Sequence, residues 1–380
     1  MKKKIRVLGL VVLLSLSQIV YAQTEPPKVK AKGAVLIEQD SGRVLFAQNA
    51  ETPLAMASTT KIMTCIIALE NGKLDDIVVT SKRAAQAPPV KLKLKIGEKQ
   101  RLGDLLYALM LQSDNDVAVA IAEHIGGSVE AFCELMTQKA KEIGAMQTTF
   151  KTPNGLDAEE HGSSAYDMAL IAAYALKNPK FVEIVTTTHI TIPTVKTENS
   201  VSHDLQNKNR FIYSYEGANG VKTGFTNKAG HCFVGGAKRK DMQLIGVALG
   251  SGWGKNGKTQ KYTDVIQMMN YGFSEYEKIE VITPNENMAV VPVEKAISKT
   301  LTIGCNSHVV LPLSSKEKEN IYVKKIVPTT LIAPVKKGDT IGEVQVICDG
   351  TILAKVPLTA NNSIKKANVL DYIRNWLNHQ

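Results

Sequence analysis

A serine and a lysine stand three residues apart in the segment PLAMASTTKIMT, residues 53–64, at the start of an apolar run. Residues three apart share one face of a helix, so the Lys61 amine can reach the Ser58 hydroxyl and act as its base. The same spacing also arises when a serine caps a helix and a lysine faces solvent. Two other serines, Ser315 and Ser363, also have a lysine three residues on. The pair alone therefore decides nothing.

Two further polar motifs follow Ser58 along the chain, and each occurs once. QSDND supplies Ser113–Asp114–Asn115, and NGVKTGFT supplies Lys222–Thr223–Gly224. No comparable motifs follow the other two serines. The ordered set S-x-x-K, S-D-N and K-T-G is the signature of class A β-lactamases and penicillin-binding proteins. Three matches in this order predict acyl transfer through a serine nucleophile.

The chemistry explains why these residue types are needed. A lysine with its usual pKa of ~10.4 is a base only if burial or a nearby cation lowers that pKa, and Lys222 is a candidate for the cation. Ser113 can relay a proton to the leaving amine, and Asn115 can hold the substrate amide. The N–H groups of Ser58 and Phe225 would form the oxyanion hole.

Hydrophobic periodicity predicts the elements that position these motifs. AVLIEQDSGRVLFAQN reads as a β-hairpin turning at residues 40–42, and a helix is expected from Ser58 to about Leu69. Helical spacing dominates the middle of the chain. Residues 219–249 read as strands, with glycine at position 224 leaving room for a substrate strand, and a further helix follows. The pattern predicts one α/β domain whose sheet joins strands from both ends.

Length and composition favour a two-domain globular protein, because 380 residues exceed one ordinary core and only 22% are charged. A basic start, a short apolar run and the segment VYA before Gln23 predict a signal peptide over residues 1–22. A lead-in over 23–31 would precede a catalytic domain over 32–278. We therefore expect an exported protein at the outer face of the cytoplasmic membrane or in the cell wall. The net charge is +10, but the lysines and arginines do not form a basic block of the kind typical of nucleic-acid binding.

The C-terminal part has a different character. Residues 279–360 form short β-type runs between Pro, Gly and Asn, which predicts a small all-β domain. Residues 361–380 return to helical spacing with Trp376 and Leu377 on the apolar face, which fits either an amphipathic membrane anchor or a helix packed on the β domain. The five cysteines show no CxxC spacing, and the sequence leaves open whether Cys305 and Cys348 pair.

The motifs STTK, SDND, TPNGLD, HGSSAYDMA and NGVKTGFTNKAGHCFVGGAKR, with the β-rich end and tail, resemble the serine-type D-alanyl-D-alanine carboxypeptidases. This resemblance covers nearly the whole chain. It implies a β-lactamase/transpeptidase-like α/β (α+β) domain with helices packed on an antiparallel sheet. It also implies removal of the terminal D-alanine from peptidoglycan stem pentapeptides, acylation by β-lactam antibiotics, and no cofactor or metal. Ser58 and Lys61 match the nucleophile and base, Ser113 and Asn115 the second element, and Lys222, Thr223 and Gly224 the carboxylate-binding strand.

Three positions need comparison with the family pattern, and two of them, Lys261 and Asp114, depart from it. Lys208 lies where related enzymes often carry a basic residue near the substrate, although Arg210 fits equally well. Lys261 stands where an arginine is common, and its ammonium group would offer a single compact charge in place of a planar guanidinium that can form two parallel hydrogen bonds. Asp114 occupies a position at which many carboxypeptidases have a small residue, and this favours the β-lactamase alternative slightly.

Other functions fit less well. A class A β-lactamase needs a Glu-x-x-Leu-Asn context, which the sequence lacks. A zinc peptidase would need clustered histidines, and His161 and His231 are better explained as structural. A non-enzymatic wall-binding scaffold would predict a damaged set of motifs, and this set is whole. D,D-endopeptidase or transpeptidase activity stays possible, because water or an amine can attack the same acyl-enzyme.

Overall fold

The computed structural model describes residues 25–193, 202–371 and 373. The predicted signal peptide and the tail residues Trp376 and Leu377 lie outside this described part.

The first domain is built on an antiparallel sheet that joins strands from both of its ends, as the sequence predicts. The sheet has five strands in the order β2-β1-β9-β8-β7, so that β7 is an edge strand. Two small two-stranded ribbons, β3-β4 and β5-β6, lie outside it. The strands of this domain are β1 (Gly33–Glu38), β2 (Val44–Gln48), β3 (Ile77–Val79), β4 (Lys99–Arg101), β5 (His189–Pro193), β6 (Ser202–Gln206), β7 (Ala218–Thr226), β8 (Gly230–Arg239) and β9 (Met242–Leu249).

Helices cover both faces of the sheet. Alternate residues of a strand point to opposite faces, so Val35 and Ile37 of β1 join one core whereas Ala34 and Leu36 join the other. The first core contains α1 and most of the helical middle, and the second is closed by α9. The helices are α1 (Lys61–Asn71), α2 (Lys82–Ala85), α3 (Leu102–Tyr107), α4 (Asn115–Gly126), α5 (Val129–Ile143), α6 (Ala165–Ala175), α7 (Pro179–Thr186), α8 (Phe211–Ser214) and α9 (Gly254–Glu275).

The second domain is mainly β, as predicted, but it contains one short helix that the sequence reading omitted. Its larger sheet has the order β14-β16-β17-β12-β11-β15, and β10 pairs with β13. Ser314 and Glu317 form a capping box that starts the helix. The elements are β10 (Tyr276–Ile282), β11 (Glu286–Glu294), β12 (Thr300–Cys305), β13 (Val309–Ser314), α10 (Ser315–Asn320), β14 (Ile321–Ile326), β15 (Leu331–Ile332), β16 (Thr340–Cys348) and β17 (Thr351–Ala360).

The second domain also explains the other two serine–lysine pairs. Ser315 is the first residue of the exposed helix α10, and the Ser363 hydroxyl accepts a hydrogen bond from Lys337 N–H at 2.9 Å. Both serines are structural. Cys305 and Cys348 are buried free thiols, so the structure does not join them.

The domains meet at the β1–β2 hairpin turn. The buried Glu38 carboxylate accepts hydrogen bonds from the turn, and the Lys278 amine lies 3.5 Å from Glu38 and 2.6 Å from Asp40. Arg43 pairs with Glu317 of α10. Charge-assisted contacts of this kind fix the orientation of the partners.

The predicted tail helix begins later than residue 361. Ile364 is buried, and its N–H and C=O pair with Val335 at 2.8 and 2.9 Å, while Ala367 N–H donates to Lys295 O. The first part of the predicted tail helix is therefore extended backbone that is hydrogen-bonded to the β domain. Helical backbone starts at Val369, and Leu370 beside it is 67% exposed. Across residues 25–193 and 202–371, none of the helices has the length and apolar character needed to cross a membrane.

Candidate active site

Ser58 lies in a tight turn immediately before α1. The turn is a 3-10 helix over Ala57–Thr60, and Ala57 has a positive φ of 49°. The buried hydroxyl of Thr59 donates to Met56 O at 2.6 Å, and that of Thr60 donates to Ala57 O at 2.8 Å. The two threonine hydroxyls thus satisfy the carbonyl groups of Met56 and Ala57 within the turn. The half-buried Ser58 hydroxyl faces Lys61. The helix therefore begins at Lys61, slightly later than the sequence predicts.

The Lys61 amine is fully buried and has three polar neighbours. Its Nζ lies 3.0 Å from Ser58 Oγ, 2.8 Å from Asn115 Oδ1 and 2.6 Å from the carbonyl oxygen of Asn154. A neutral amine has two N–H groups and one lone pair. Asn115 Oδ1 and Asn154 O only accept hydrogen bonds, so a neutral amine donates to them and directs its lone pair to Ser58 Oγ. The Ser58 hydroxyl also lies 3.3 Å from Asn154 O, and it turns its proton from that carbonyl to the amine when Lys61 is neutral.

Electrostatics favour that neutral form. Burial, followed by the charge of Lys222, lowers the pKa of Lys61 well below its usual value. The neighbouring carboxyls Asp114 and Asp116 act in the opposite direction. Desolvation is therefore the main cause of the shift, and the second cation expected from the sequence contributes to it.

Asn115 is the first residue of α4 and fixes the orientation of Lys61. Both of its amide hydrogens are used, because Nδ2 donates to the carbonyl oxygens of Pro88 and Pro89 at 3.0 Å each. Oδ1 is therefore the atom that faces Lys61. This differs from the expectation that the Asn115 amide holds the substrate: in this structure both N–H groups bind the 88–89 loop.

Ser113 lies two residues before Asn115 in an unusual backbone conformation. It follows a π-helical turn over Ala108–Gln112 and has left-handed dihedral angles of 72° and 34°. A non-glycine residue in this region carries strain, and π-turns and such strain are frequent at functional sites. The sequence placed Ser113 between two helices but gave no sign of this turn.

Asn154 and Gly155 are site residues that the sequence analysis did not single out. The Asn154 contact to Lys61 uses a backbone carbonyl, so no side-chain pattern could reveal it. Gly155 has a φ of 84°, and a Cβ there would lie 2.0 Å from Ala57 O. The loop packs directly on the turn over residues 57–60, which we call the nucleophile turn because it carries Ser58, the nucleophile that the sequence predicts. The buried hydroxyl of Thr64 also binds Pro153 O at 2.5 Å. The Asn-Gly pair in TPNGLD was the available signal for a tight turn.

Strand β7 closes the other side of the site. A Cβ on Gly224 would lie 2.8 Å from Ser58 N, so glycine is required for contact between β7 and the nucleophile turn. This corrects the sequence interpretation, in which the glycine made room for substrate. Thr223 is half-buried beside it, and Phe225 is exposed with its ring 4.5 Å from that of His231. The free edge of β7 remains available for an extended peptide.

Three lysines form a positive region around this strand. Lys222 and Lys261 are buried, and Lys208 is exposed on the rim, where its Nζ donates to Gln112 O at 3.3 Å. Burial, Lys261 and Lys208 together lower the pKa of Lys222 to about 7, and burial lowers that of Lys261 to about 8. Arg210, the alternative to Lys208, is exposed and contributes charge near Lys261.

Two other polar residues support the site. Asp114 is buried, one of its oxygens has no hydrogen-bond partner, and burial followed by Asp116 raises its pKa to about 7. His161 accepts the Lys151 N–H at Nδ1, so its Nε2 carries the proton and donates to Thr60 Oγ1 at 3.1 Å. Burial lowers the pKa of His161 to about 4. It therefore braces the nucleophile turn as a neutral residue.

Both domains of the chain match known family models. The family model described as D-alanyl-D-alanine carboxypeptidase, peptidase family S11, matches residues 20–252, and that of the penicillin-binding protein 5 C-terminal domain matches residues 276–366. The chain belongs to the S11 D-alanyl-D-alanine carboxypeptidase family. Its resemblance to this family is thereby confirmed, as is the predicted fold.

Individual relatives agree with this assignment. D-alanyl-D-alanine carboxypeptidase DacF of Bacillus subtilis is 36% identical over 351 residues, which cover 91% of this chain and 88% of that protein. The crystal structure of penicillin binding protein 5 from Haemophilus influenzae has a TM-score of 0.78 at 26% identity, covering 90% of this chain and all (100%) of that one. The structure of a mutant of the Streptomyces K15 DD-transpeptidase has a TM-score of 0.61 at 32% identity, covering 65% of this chain and 99% of that one.

The contact between the 154–155 loop and the nucleophile turn generates a prediction. Gly155→Ala would force the two backbones apart, and a displacement of about 1 Å can cost about 100-fold in rate. We expect acylation by a fluorescent penicillin to slow by about that factor. Gly144→Ala is the matched control: Gly144 also has a positive φ, of 92°, but a Cβ there meets nothing within 4 Å. Equal acylation rates in the two variants would contradict the assigned contact.

Proposed function

We propose that this chain is a serine D-Ala-D-Ala carboxypeptidase that removes the terminal D-alanine from peptidoglycan stem pentapeptides through an acyl-enzyme on Ser58. Family membership supports the reaction class. One observation carries the residue roles: the Lys61 amine lies 3.0 Å from Ser58 Oγ while two carbonyl oxygens take its N–H groups. This arrangement prepares the lone pair of the base for the proton of the nucleophile.

In the acylation step, Lys61 accepts the Ser58 proton as Oγ attacks the carbonyl carbon of the penultimate D-alanine. The N–H groups of Ser58 and Phe225 stabilise the oxyanion that forms. The protonated amine then returns its proton, relayed by Ser113, to the departing D-alanine nitrogen, and the C–N bond breaks. Water attacks the resulting ester with Lys61 again as base, which regenerates the Ser58 hydroxyl and releases the shortened peptide.

The positive region on β7 binds the substrate's terminal carboxylate in this proposal. Lys222 and the hydroxyl of Thr223 are the direct partners, and Lys208 and Lys261 strengthen the local potential. Partly desolvated cations bind carboxylates more strongly than fully hydrated ones. Penicillins carry a carboxylate and an acylating carbonyl, so the same groups account for β-lactam binding.

D,D-transpeptidation is the second candidate, because a mutant of the Streptomyces K15 DD-transpeptidase is 32% identical in a comparison that covers 65% of this chain. The two reactions share the acyl-enzyme and differ in whether water or an amine attacks it. Turnover of a D-Ala-D-Ala peptide with and without an added amine acceptor separates them by product mass.

The nucleophile assignment predicts that Ser58→Ala abolishes covalent labelling by a fluorescent penicillin and release of D-alanine from a D-Ala-D-Ala peptide. Lys61→Ala should slow acylation by about 100- to 10,000-fold, the usual contribution of a general base. Ser315→Ala is the control, because Ser315 also has a lysine three residues on but lies in the second domain. Its labelling should match wild type. Near-normal acylation of Lys61→Ala would remove Lys61 from the role of base.

The lysine pKa values predict the pH dependence of activity on a peptide. Lys222 must be charged to bind the carboxylate, and its pKa is about 7, so kcat/KM should fall as the pH rises through about 7 to 8. The Lys261 charge is one cause of the lowered value. Lys261→Met should therefore raise the pKa of Lys222 and move this decline to higher pH. A decline at unchanged pH would contradict the electrostatic link, and Lys238→Met, on an exposed part of β8, controls for loss of a distant lysine.

Export and membrane attachment complete the proposed function. Residues 1–22 have the features of a signal peptide, and the tail has exposed apolar residues, of which Val369 is 75% and Leu370 is 67% exposed. We expect an in-plane helix that binds the outer face of the cytoplasmic membrane reversibly.

The tail assignment predicts that deleting residues 368–380 releases the mature protein into the soluble fraction with full penicillin labelling. This deletion begins after Ala367, so it keeps the extended pairing of Ile364 and leaves the β domain intact. Leu370→Asp should weaken membrane association in the same direction. Unchanged fractionation of the deletion variant would refute the anchor.

A further inference from the structure

The loop over residues 87–98 holds Asn115, although it has no helix or strand of its own. The carbonyl oxygens of Pro88 and Pro89 accept the Asn115 side-chain amide, and Val90 O accepts the Asn115 N–H at 2.7 Å. One irregular loop therefore fixes Asn115 at three points. The orientation of its Oδ1 atom is only as precise as the position of that loop, so the support of the loop matters for the site.

A buried carboxylate supplies that support. The Asp116 side chain is 0% exposed, and its Oδ1 accepts the Leu92 N–H at 3.0 Å. Its Oδ2 accepts the N–H groups of Lys93 and Leu94 at 2.8 and 3.1 Å. Lys93 has a positive φ of 69°, a strained backbone bend of the kind that turns successive amides toward one anion. Hydrogen bonds to a charged acceptor are strong, so the carboxylate can keep the loop in this form.

Helix capping alone does not explain these contacts. Asp116 lies in the first turn of α4, where a negative charge is favourable, and its Oδ1 also accepts the Val117 N–H at 3.0 Å. That bond serves the helix. The three bonds to residues 92–94 instead join the helix to a segment 22 to 24 residues away in sequence. Asn115 is the neighbour of Asp116, so the loop is clamped directly beside the residue that it orients.

The charge of Asp116 acts against the base. Asp116 and Asp114 are the carboxyls that raise the pKa of Lys61, so removing the Asp116 charge would make the neutral amine easier to form. An electrostatic account therefore predicts that Asp116→Asn leaves the reaction unchanged or faster. Loss of the loop contacts predicts a slower reaction, and the opposite signs make the two accounts distinguishable.

We propose that Asp116 is a positioning residue for the reaction, which fixes the 88–94 loop so that the loop carbonyls orient Asn115. The Asn115 Oδ1 then takes one N–H of Lys61, and the lone pair of the amine is directed at Ser58. This inference rests on the proposed carboxypeptidase function, because the role of Lys61 as base belongs to it. The effect of Asp116 passes through Asn115 and not through a contact with the substrate.

The test measures kcat and KM on a peptide that ends in D-Ala-D-Ala. Asp116→Asn places an NH2 group against the loop amides, and the resulting displacement of about 1 Å should lower kcat about 100-fold. KM should stay close to wild type, because the proposed carboxylate partners Lys222 and Thr223 lie on β7 and not on the loop. Trypsin should also cut the loop faster in this variant, at the exposed Lys93 or Lys95.

A matched control and a double variant separate positioning from general stability. Asp167 is also buried, at 3% exposure, and accepts a loop amide, the Gln147 N–H, at 2.6 Å, but it takes no part in the mechanism above. Asp167→Asn should therefore keep the wild-type kcat. In an Asn115→Ala background, Asp116→Asn should change kcat by less than about twofold, because the residue through which it acts is already absent.

Each outcome decides between this inference and the proposed function. If wild type is labelled by a fluorescent penicillin and Asp116→Asn has a wild-type kcat, the inference is refuted and the carboxypeptidase assignment stands. A full 100-fold loss in the Asn115→Ala background overturns action through Asn115. If wild type neither labels nor releases D-alanine, the proposed function fails and this inference fails with it. Should Asp116→Asn not fold, Asp116→Ser decides: its small hydroxyl cannot hold three amides, so a wild-type kcat there overturns the proposal.

Discussion

The buried amine of Lys61 is the constraint around which the first domain is organised. A primary amine at 0% exposure is costly unless its hydrogen-bonding capacity is matched, and here two carbonyl oxygens and one hydroxyl match it. These three groups come from the 58 turn, the start of α4 and the 154 loop, which are far apart in sequence. Only the complete fold assembles them. The charge state of the Lys61 amine is therefore a property of the tertiary structure.

Close backbone contacts make that assembly rigid. Gly155 and Gly224 each bring their backbone against residues 57–58 at distances that a Cβ would not permit. Threonine hydroxyls inside the turn and the neutral ring of His161 beneath it fill the remaining hydrogen-bonding positions. Catalysis by positioning requires this kind of support, since small displacements of a nucleophile are expensive.

The sequence predicted those parts of the structure that depend on side-chain type and period. The motifs around Ser58, Asn115 and Lys222 identified the chemistry, and alternation and helical spacing identified the sheet and most helices. Contributions of the backbone to the site could not be predicted from side-chain type, as the Asn154 carbonyl and the π-turn before Ser113 show. The tail helix was placed too early for a related reason, because the pairing of Ile364 with Val335 is a long-range contact that no local period reports.

Three buried lysines around the site share one electrostatic cause. Burial lowers the pKa of Lys61 well below its usual value, that of Lys222 to about 7 and that of Lys261 to about 8. A carboxylate that binds at Lys222 favours its charged form. A charged Lys222 in turn disfavours a proton on Lys61. In the proposed binding mode the negative charge of that carboxylate offsets the positive charge of Lys222, so burial, the largest cause of the lowered Lys61 pKa, favours the neutral amine with or without substrate.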